Sequence, residues 1–260
     1  MRIGAYQFDV TGDIQKNTKI ICEAIRKAAE AGVRLLVLPE CALTGYPPRD
    51  IESSVQVDYE QVEKAYLKIQ DMVDACGISV LLGTIIQEES SIYNSAMLLE
   101  PHKRKVIYHK RALWGWDRDN FSEGNLPGIF GIEGLQIGVR ICFEVRFPEY
   151  FRELYMEHTD LNIILFYDVT DAEDEGRYEL IRSHVRTRAV ENATYTLSVN
   201  VTAPFQTAPT GLYDRSGRVL AELKPNEEAL LIYDLDVKQP DFGEIGRETI
   251  SNNLLNLKAE

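Results

Sequence analysis

Four consecutive aliphatic residues, at positions 35–38, constrain the fold of this chain more than any other segment. A short run without a polar position is typical of a strand buried on both faces, and such strands belong to parallel sheets covered by helices. Pro39 stops the run, and Glu40 follows it directly. Functional groups of α/β folds gather at the carboxyl ends of such strands, so Glu40 is the first candidate site residue.

Helical and strand patterns alternate on both sides of this run. We predict one helix from a cap at Asp13 to Gly32, and others at residues 59–76, 148–156 and 177–192. We predict strands at residues 3–8, 35–38, 79–86, 92–99, 105–109, 134–141, 161–166, 194–201 and 230–233. Short polar turns within residues 79–109 require antiparallel pairing, so the pattern predicts mixed sheets packed face to face, with helices outside. The residues after Pro240 are expected to form an extended tail.

Composition limits the class of protein. The 260 residues are 45% hydrophobic and contain no linker-like stretch, so we expect a single domain over residues 1–260. The 28 basic and 41 acidic residues give a net charge of −13, which disfavours nucleic acid and anionic lipid as partners. No apolar run is long enough for a signal peptide or a membrane span, so we expect a cytoplasmic protein. The four cysteines and four histidines have no metal-ligand spacing, and we expect neither a metal nor another cofactor.

Cys142 lies between a predicted strand and a predicted helix. Backbone N–H groups at such a junction lower the pKa of a thiol and bind an oxyanion, which suits a nucleophile. An isolated cysteine is more often a small buried apolar residue. The charged residues Arg140, Glu144 and Arg146 close by favour the nucleophile. A Cys–His pair with His109 is the less favoured alternative, because His109 belongs to no recognisable catalytic motif.

Three separated motifs, taken in order, resemble those of the nitrilase-like carbon-nitrogen hydrolase family over nearly the whole chain. They are LVLPE at 36–40 with LTGY at 43–46, YHKRAL at 108–113 with FSEG at 121–124, and GVRICFE at 138–144 with RFPE at 146–149. A fourth segment, RAVEN at 188–192 followed by Asn200, is similar to the helix-to-strand segment downstream of the nucleophile in this family.

The resemblance implies a four-layer α-β-β-α sandwich with two mixed sheets, commonly assembled as a homodimer or a higher homo-oligomer. It also implies hydrolysis of non-peptide C–N bonds through a covalent thioester on Cys142. Glu40 would act as general base and acid, which suits a carboxyl whose pKa is raised by burial. Lys110 and the backbone N–H of Phe143 would stabilise the oxyanion. Considered without the other motifs, Lys110 fits better as a solvated lysine at a strand end.

The residues around Glu40, Lys110 and Cys142 depart from the family pattern. Family members often carry a second glutamate four residues before the phenylalanine of the lysine motif, where this chain has Asp117. Tyr167, in the loop after residues 161–166, fits either a pocket wall or an ordinary exposed tyrosine. Trp114 and Trp116 fit either the pocket entrance or ordinary packing. Arg146 fits a bidentate contact with a substrate carboxylate, or, as we slightly prefer, an ion pair with Glu144 or Glu149. The expected substrate-binding residues are Tyr46, Asp117, Phe143, Arg146 and Tyr167.

The function expected from these residues is hydrolysis of a small linear amide or N-carbamoyl compound with release of ammonia. Nitrile hydrolysis at the same site is the chemical alternative. A catalytically silent binding protein that kept the fold is the alternative from another class, and the Asp117 change would be its cause.

Overall fold

The computed structural model describes residues 1–257. The elements of the first half are β1 (Arg2–Gln7), α1 (Ile14–Glu30), β2 (Leu35–Val37), α2 (Tyr59–Cys76), β3 (Ser79–Glu88), β4 (Ser91–Leu99) and β5 (Val106–His109). The middle of the chain forms α3 (Trp116–Asn120), β6 (Ile129–Ile132), β7 (Leu135–Ile141), α4 (Pro148–Met156), β8 (Leu161–Leu165), β9 (Val169–Thr170) and α5 (Glu175–Glu191). The remaining elements are β10 (Tyr195–Val199), β11 (Phe205–Gln206), β12 (Gly211–Tyr213), β13 (Val219–Glu222), β14 (Ala229–Asp234) and α6 (Phe242–Leu254).

The strands form two six-stranded sheets. The first has the order β14-β1-β2-β3-β4-β5 and the second has the order β13-β12-β10-β8-β7-β6, while β9 and β11 pair separately. Strand β2 pairs in parallel with β1 and β3, and β8 pairs in parallel with β7 and β10. The outer strands pair antiparallel, as the short turns between β3, β4 and β5 require. Both sheets are therefore mixed.

The run at residues 35–38 shows why the sheets are stacked. Leu35 and Val37 belong to a core that also contains Ile137 and Ile163 of the second sheet, so this core lies between the sheets. Leu36 belongs to a different core, with Ile21 and other apolar residues of α1 and α2. Both faces of β2 are thus buried. A third core joins α4 and α5 to the outer face of the second sheet, which confirms the predicted α-β-β-α sandwich.

Local signals set the start of α1 and the end of α2 as predicted. The carboxylate of Asp13 accepts hydrogen bonds from the N–H groups of Gln15, at 2.9 Å, and Lys16, at 3.0 Å, and so caps α1. Helix α2 ends at Gly77, which has a positive φ of 67° and donates to the carbonyl of Val73. Its bounds agree with the prediction.

The prediction of an extended tail after Pro240 is wrong, because residues 242–254 form α6. Asp241 and Glu244 make a capping box, in which each carboxylate accepts from the other residue's backbone N–H, at 2.8 and 3.0 Å. The helix is held on α4 by Tyr155, whose hydroxyl donates to Asn252 Oδ1 at 2.6 Å. None of its residues is buried. A helix that buries no apolar stripe is therefore visible in the sequence only through its cap.

None of the helices within residues 1–257 combines the length and the hydropathy that crossing a membrane requires.

Candidate active site

The site lies where strands of the two sheets end. Glu40 follows β2 and Lys110 follows β5, both in the first sheet, whereas Cys142 follows β7 and Tyr167 follows β8 in the second. Because the two sheets are stacked, residues that are far apart in the chain meet here. Glu40 and Lys110 are each only 1% exposed.

The carboxylate of Glu40 is held by three donors. Its Oε1 accepts from Asn94 Nδ2 at 2.7 Å and from Lys110 Nζ at 2.8 Å. Its Oε2 accepts from the backbone N–H of Tyr167 at 2.7 Å. The second sheet therefore helps to orient a carboxylate that the first sheet carries. A buried carboxylate with both oxygens bonded has a fixed position, as a general base requires.

Lys110 joins Glu40 to Asp117. Its Nζ lies 2.8 Å from Glu40 Oε1 and also 2.8 Å from Asp117 Oδ2. The other oxygen of Asp117 accepts from the hydroxyl of Tyr46 at 2.8 Å. Asp117 is 4% exposed and lies in α3, which begins directly after Gly115. The shorter side chain therefore still reaches Lys110, because the first turn of α3 carries it towards the ammonium.

Gly83 of β3 allows the Glu40 segment to approach the sheet. A Cβ atom at this position would lie 1.9 Å from the carbonyl oxygen of Pro39 and 2.7 Å from Cα of Glu40. Real Cβ atoms do not approach backbone so closely. The position of Glu40 therefore depends on the absence of a side chain on the neighbouring strand.

Replacing Gly83 with alanine is expected to lower kcat by about 100-fold, because a displacement of Glu40 near 1 Å spoils the reacting geometry. The free energy of unfolding should also fall by about 1–3 kcal/mol through overpacking. Steady-state kinetics and urea denaturation measure the two effects. Gly131→Ala is the matched control, because nothing lies within 4 Å of a Cβ atom there. Equal kcat values in the two variants would contradict this role for Gly83.

Cys142 occupies a tight turn at the end of β7. It has a positive φ of 47°, which is rare for a residue other than glycine and typical of strained functional turns. The buried carboxylate of Glu144 braces the turn, since it accepts from Ile141 N at 2.6 Å and from Tyr108 Oη at 2.7 Å. Arg188 of α5 adds a hydrogen bond of 2.8 Å from Nε to the carbonyl of Val145. Residues of the cysteine motif and of the RAVEN segment thus hold one turn.

The expectation that the turn lowers the pKa of Cys142 is wrong. Burial raises the pKa of the thiol well above its ordinary value, and the negative charge of Glu40 raises it further, while Lys110 acts in the opposite direction. Burial also raises the pKa of Glu40, although Lys110 and Asn94 oppose this shift. Cys142 is therefore a thiol at rest, and the negative charge of Glu40, a carboxylate of increased basicity, acts on it.

Lys110 remains charged despite its burial. Burial alone lowers the pKa of its ammonium group, but the adjacent carboxylates of Asp117 and Glu40 outweigh this effect and raise the pKa well above the ordinary value. The alternative of a solvated strand-end lysine is wrong, since the side chain is buried between two carboxylates. Lys110 thus supplies a fixed positive charge to the site.

A cavity of about 360 Å³ opens above Cys142. All five predicted substrate-binding residues line it, together with Lys110, Cys142, Trp114 and Trp116. The rings of Tyr46 and Tyr167 stack with their centroids 5.1 Å apart. Both tryptophans are exposed, at 68% and 55%, so they lie at the entrance and do not pack beneath the loop. Glu40 does not line the cavity.

The preferred interpretation of Arg146 is wrong. The carboxylate of Glu144 is occupied by Tyr108 and by the backbone of the turn that contains Cys142. Within residues 1–257, Arg146 forms an ion pair neither with Glu144 nor with Glu149, and its half-buried side chain lines the cavity. Its guanidinium is thus available to a ligand.

The side chain of His109 contacts residues other than Cys142. Its Nδ1 lies 2.8 Å from Ser95 Oγ, its Nε2 lies 3.4 Å from Glu88 Oε1, and its ring stacks on Tyr93. The residue does not line the cavity. The Cys–His alternative is therefore wrong.

Three residues of the site were not predicted. Asn94 donates to Glu40 from the middle of β4, where a buried amide in an apolar strand is the available signal. Asp168 and Arg177 form an ion pair at the cavity wall, with Arg177 Nε 2.9 Å from Asp168 Oδ1. A carboxylate directly after β8 was the signal for Asp168. Among residues 1–257, no group of three or more histidine, cysteine or acidic side chains is arranged to hold a metal ion.

Comparison with known proteins identifies the family. The family model described as carbon-nitrogen hydrolase matches residues 2–240. Glutamine-dependent NAD(+) synthetase of Thermotoga maritima is 30% identical over 154 residues, which are 57% of this chain and only 26% of that protein. The 2-oxoglutaramate amidase of Bacillus subtilis is 24% identical over 246 residues and 91% of each chain. The solved structure of an amidase variant from Nesterenkonia sp. AN1, with acrylamide added at the active-site cysteine, has a TM-score of 0.81 and 25% identity over 98% of this chain and 99% of that one. The chain therefore belongs to the carbon-nitrogen hydrolase family.

Proposed function

We propose that this protein is an amidase that hydrolyses a small primary amide through a thioester on Cys142. The observation that carries the proposal is the pair of 2.8 Å contacts that hold the Lys110 ammonium between Glu40 and Asp117 at the cavity of Cys142. This arrangement supplies a nucleophile, a base of raised pKa and a fixed positive charge, which are the groups that amide hydrolysis needs.

In the first half of the reaction, the sulfur of Cys142 attacks the amide carbon while its proton passes to Glu40. The oxyanion that forms is stabilised by the Lys110 ammonium and by the backbone N–H of Phe143. Glu40 then returns the proton to the nitrogen, the C–N bond breaks, and ammonia leaves a thioester behind. Because one carboxylate both takes and returns the proton, its raised pKa suits both steps.

In the second half, water attacks the thioester carbon while Glu40 takes one of its protons. The tetrahedral intermediate collapses, the acid leaves, and the proton returns to the sulfur of Cys142. Asp117 and Tyr46 act as positioning residues, since they hold Lys110 on the side away from Glu40.

Two relatives support this choice. The names of the Bacillus and Nesterenkonia proteins describe amidases, and the second carries its adduct on an active-site cysteine. The silent binding protein is disfavoured because Asp117 keeps contact with Lys110, so the change from glutamate leaves the charged network intact. No feature among the described residues of the site favours nitrile hydrolysis over amide hydrolysis.

Ammonia release from a panel of short primary amides, N-carbamoyl amino acids and nitriles tests the proposal. We expect primary amides with short acyl chains to be the best substrates, because a cavity of about 360 Å³ is at the small end of ligand sites. A coupled ammonia assay measures kcat/KM for each compound. Exclusive turnover of nitriles or N-carbamoyl compounds would contradict the choice of substrate bond, and binding without turnover of the whole panel would favour the silent protein.

A further inference from the structure

A buried asparagine of β4, Asn94, connects the two charged residues that the first sheet brings to the site. Its side-chain Nδ2 donates to Glu40 Oε1 at 2.7 Å, and its backbone carbonyl accepts from the N–H of Lys110 at 2.8 Å. Asn94 is 0% exposed and does not line the cavity. It therefore acts on a reaction in the cavity only through Glu40 and Lys110.

The orientation of the Asn94 amide is fixed by a second contact. The thiol of Cys41, the residue after Glu40, donates to Asn94 Oδ1 across 3.7 Å. Burial raises the pKa of this thiol well above its ordinary value, so the thiol keeps its proton and remains a donor. An amide whose oxygen is bonded on one side presents its NH2 group on the other, here to the carboxylate of Glu40. A flipped amide would place two acceptors against each other, which is unfavourable.

The hydrogen bonds of Glu40 are distributed unequally between its two oxygens. A carboxylate has about four lone-pair positions, shared equally by its oxygens. Within residues 1–257, Asn94 and Lys110 both donate to Oε1, whereas Oε2 accepts only from the backbone N–H of Tyr167. The lone pair that stays open is therefore on Oε2. A proton can be taken there without the loss of an existing hydrogen bond.

We propose that Asn94 is a positioning residue of the reaction, whose amide keeps Oε1 of Glu40 bonded so that Oε2 is the oxygen that exchanges protons. When the sulfur of Cys142 bonds to the amide carbon, its proton passes to Oε2. When the C–N bond breaks, that proton passes from Oε2 to the departing nitrogen. Oε1 keeps its bonds to Asn94 and Lys110 in both steps. The inference rests on the proposed amidase function and assigns a role within that same reaction.

Asn94 acts on Glu40 more directly than on the other titratable groups around it. Those groups are Cys41, Tyr46, Lys110, Asp117 and Cys142. Burial raises the pKa of both thiols and of the phenol, so these three are neutral, and Lys110 is charged. Asp117 bonds to Lys110 and Tyr46. In the part of the chain that the structure describes, the side chain of Asn94 bonds to Glu40 and Cys41 alone. Removal of its amide therefore changes the pKa of Glu40 first.

Asn94→Leu tests this role, because leucine has nearly the shape of asparagine and lacks its donor. The hydrogen bond from Asn94 lowers the pKa of Glu40, so its loss should move the acidic limb of the kcat profile to higher pH, by about one pH unit or more. On the plateau, kcat should fall by about 10-fold or more, because Glu40 is less well oriented. KM should hardly change, since Asn94 does not line the cavity. Asn94→Ala removes the same amide with a smaller side chain and should move the limb in the same direction.

Asn162→Leu is the matched control. Asn162 is also a fully buried asparagine, in the inner strand β8, but it accepts from Thr159 Oγ1 at 2.8 Å and lies outside the cavity. Its acidic limb should coincide with that of the wild type. Because the midpoint of the limb does not depend on the amount of folded enzyme, partial misfolding does not imitate the shift. An unmoved limb in both Asn94 variants, or an equal shift in Asn162→Leu, would overturn the inference and leave the amidase function standing. A wild type that hydrolyses no primary amide would overturn both.

Discussion

Cys142→Ala is expected to lower kcat/KM for amide hydrolysis by about 10⁴-fold or more, because the proposed thioester forms on its sulfur and none of the other three cysteines lines the cavity. The substitution removes one sulfur atom from a half-buried turn, so the fold and its stability should change little. Substrate binding should survive, since Tyr46, Arg146 and Tyr167 still line the cavity. Ammonia release measures the loss, and calorimetric titration with an amide measures binding.

Cys76→Ala is the matched control for this experiment. Cys76 is also a free, partly exposed cysteine, but it is the last residue of α2 and lies outside the cavity. We expect its kcat/KM to stay within about twofold of the wild type, as for a surface substitution. Acid quenching of the wild type during turnover should leave the acyl group on the protein, and mass spectrometry should place it on Cys142. An alanine variant that keeps full activity would exclude the thioester route.

The central part of the fold was predictable because burial leaves a clear pattern. A strand such as β2, apolar at each position, has to be covered on both faces, and the two cores that contain Leu35 and Leu36 provide that cover. Helix α6 was not predictable in the same way. Its apolar residues Phe242 and Ile250 are 94% and 60% exposed, so the helix has no periodic buried face and depends on its capping box.

The residues of the site were likewise predictable only where burial leaves a pattern in the sequence. Glu40 and Cys142 were predictable, since each is a polar or reactive residue placed directly beyond an apolar strand. The direction in which the pKa of Cys142 shifts was not predictable, because it depends on burial and on the distance to charged residues that follow other strands. Arg177 was also missed. Its role comes from the bidentate contact with Asp168, and a single arginine near the start of a predicted helix gives no sign of that partner.

In the proposed mechanism, the balance of charge around Lys110 favours proton transfer to Glu40 at the same time as the sulfur attacks. One ammonium between two carboxylates leaves the immediate cluster with a negative charge before the thiol ionises. A separate thiolate would add a second negative charge in a buried place, which is costly. Proton transfer to Glu40 as the sulfur attacks avoids that state, because the total charge of the cluster does not change. The geometry therefore favours Glu40 as the base over a thiolate formed in advance.

Glu40→Gln is accordingly expected to lower kcat by about 10³- to 10⁴-fold, at the upper end of general base catalysis. Glutamine has nearly the same shape and keeps an acceptor oxygen for Lys110 and Asn94. Its NH2 group loses the hydrogen bond from the Tyr167 N–H, but the main change is the loss of the proton acceptor. KM should change much less than kcat, since Glu40 does not line the cavity. Steady-state kinetics with one amide separates the two parameters.

The pH profile identifies Glu40 independently of the size of that loss. A base acts only when ionised, and burial raises the pKa of Glu40 above the ordinary value of 4.5. Activity of the wild type should therefore rise with pH through a midpoint above 4.5 and then reach a plateau. Lys110 should not limit the plateau near neutral pH, because its neighbouring carboxylates raise the pKa of its ammonium group well above the ordinary value. The residual activity of Glu40→Gln should lack the acidic limb.

Removal of one carboxylate from the protein surface should change neither kcat nor the pH profile. Glu60 in α2 has a side chain that is 89% exposed, and Glu60→Gln changes the net charge by the same amount as Glu40→Gln. Its kcat and its acidic limb should equal those of the wild type. If Glu40→Gln instead kept the wild-type limb at reduced kcat, another group would be the titrating base. Asp117 would then be the residue to test, since it shares the ammonium of Lys110 with Glu40 and faces the cavity itself.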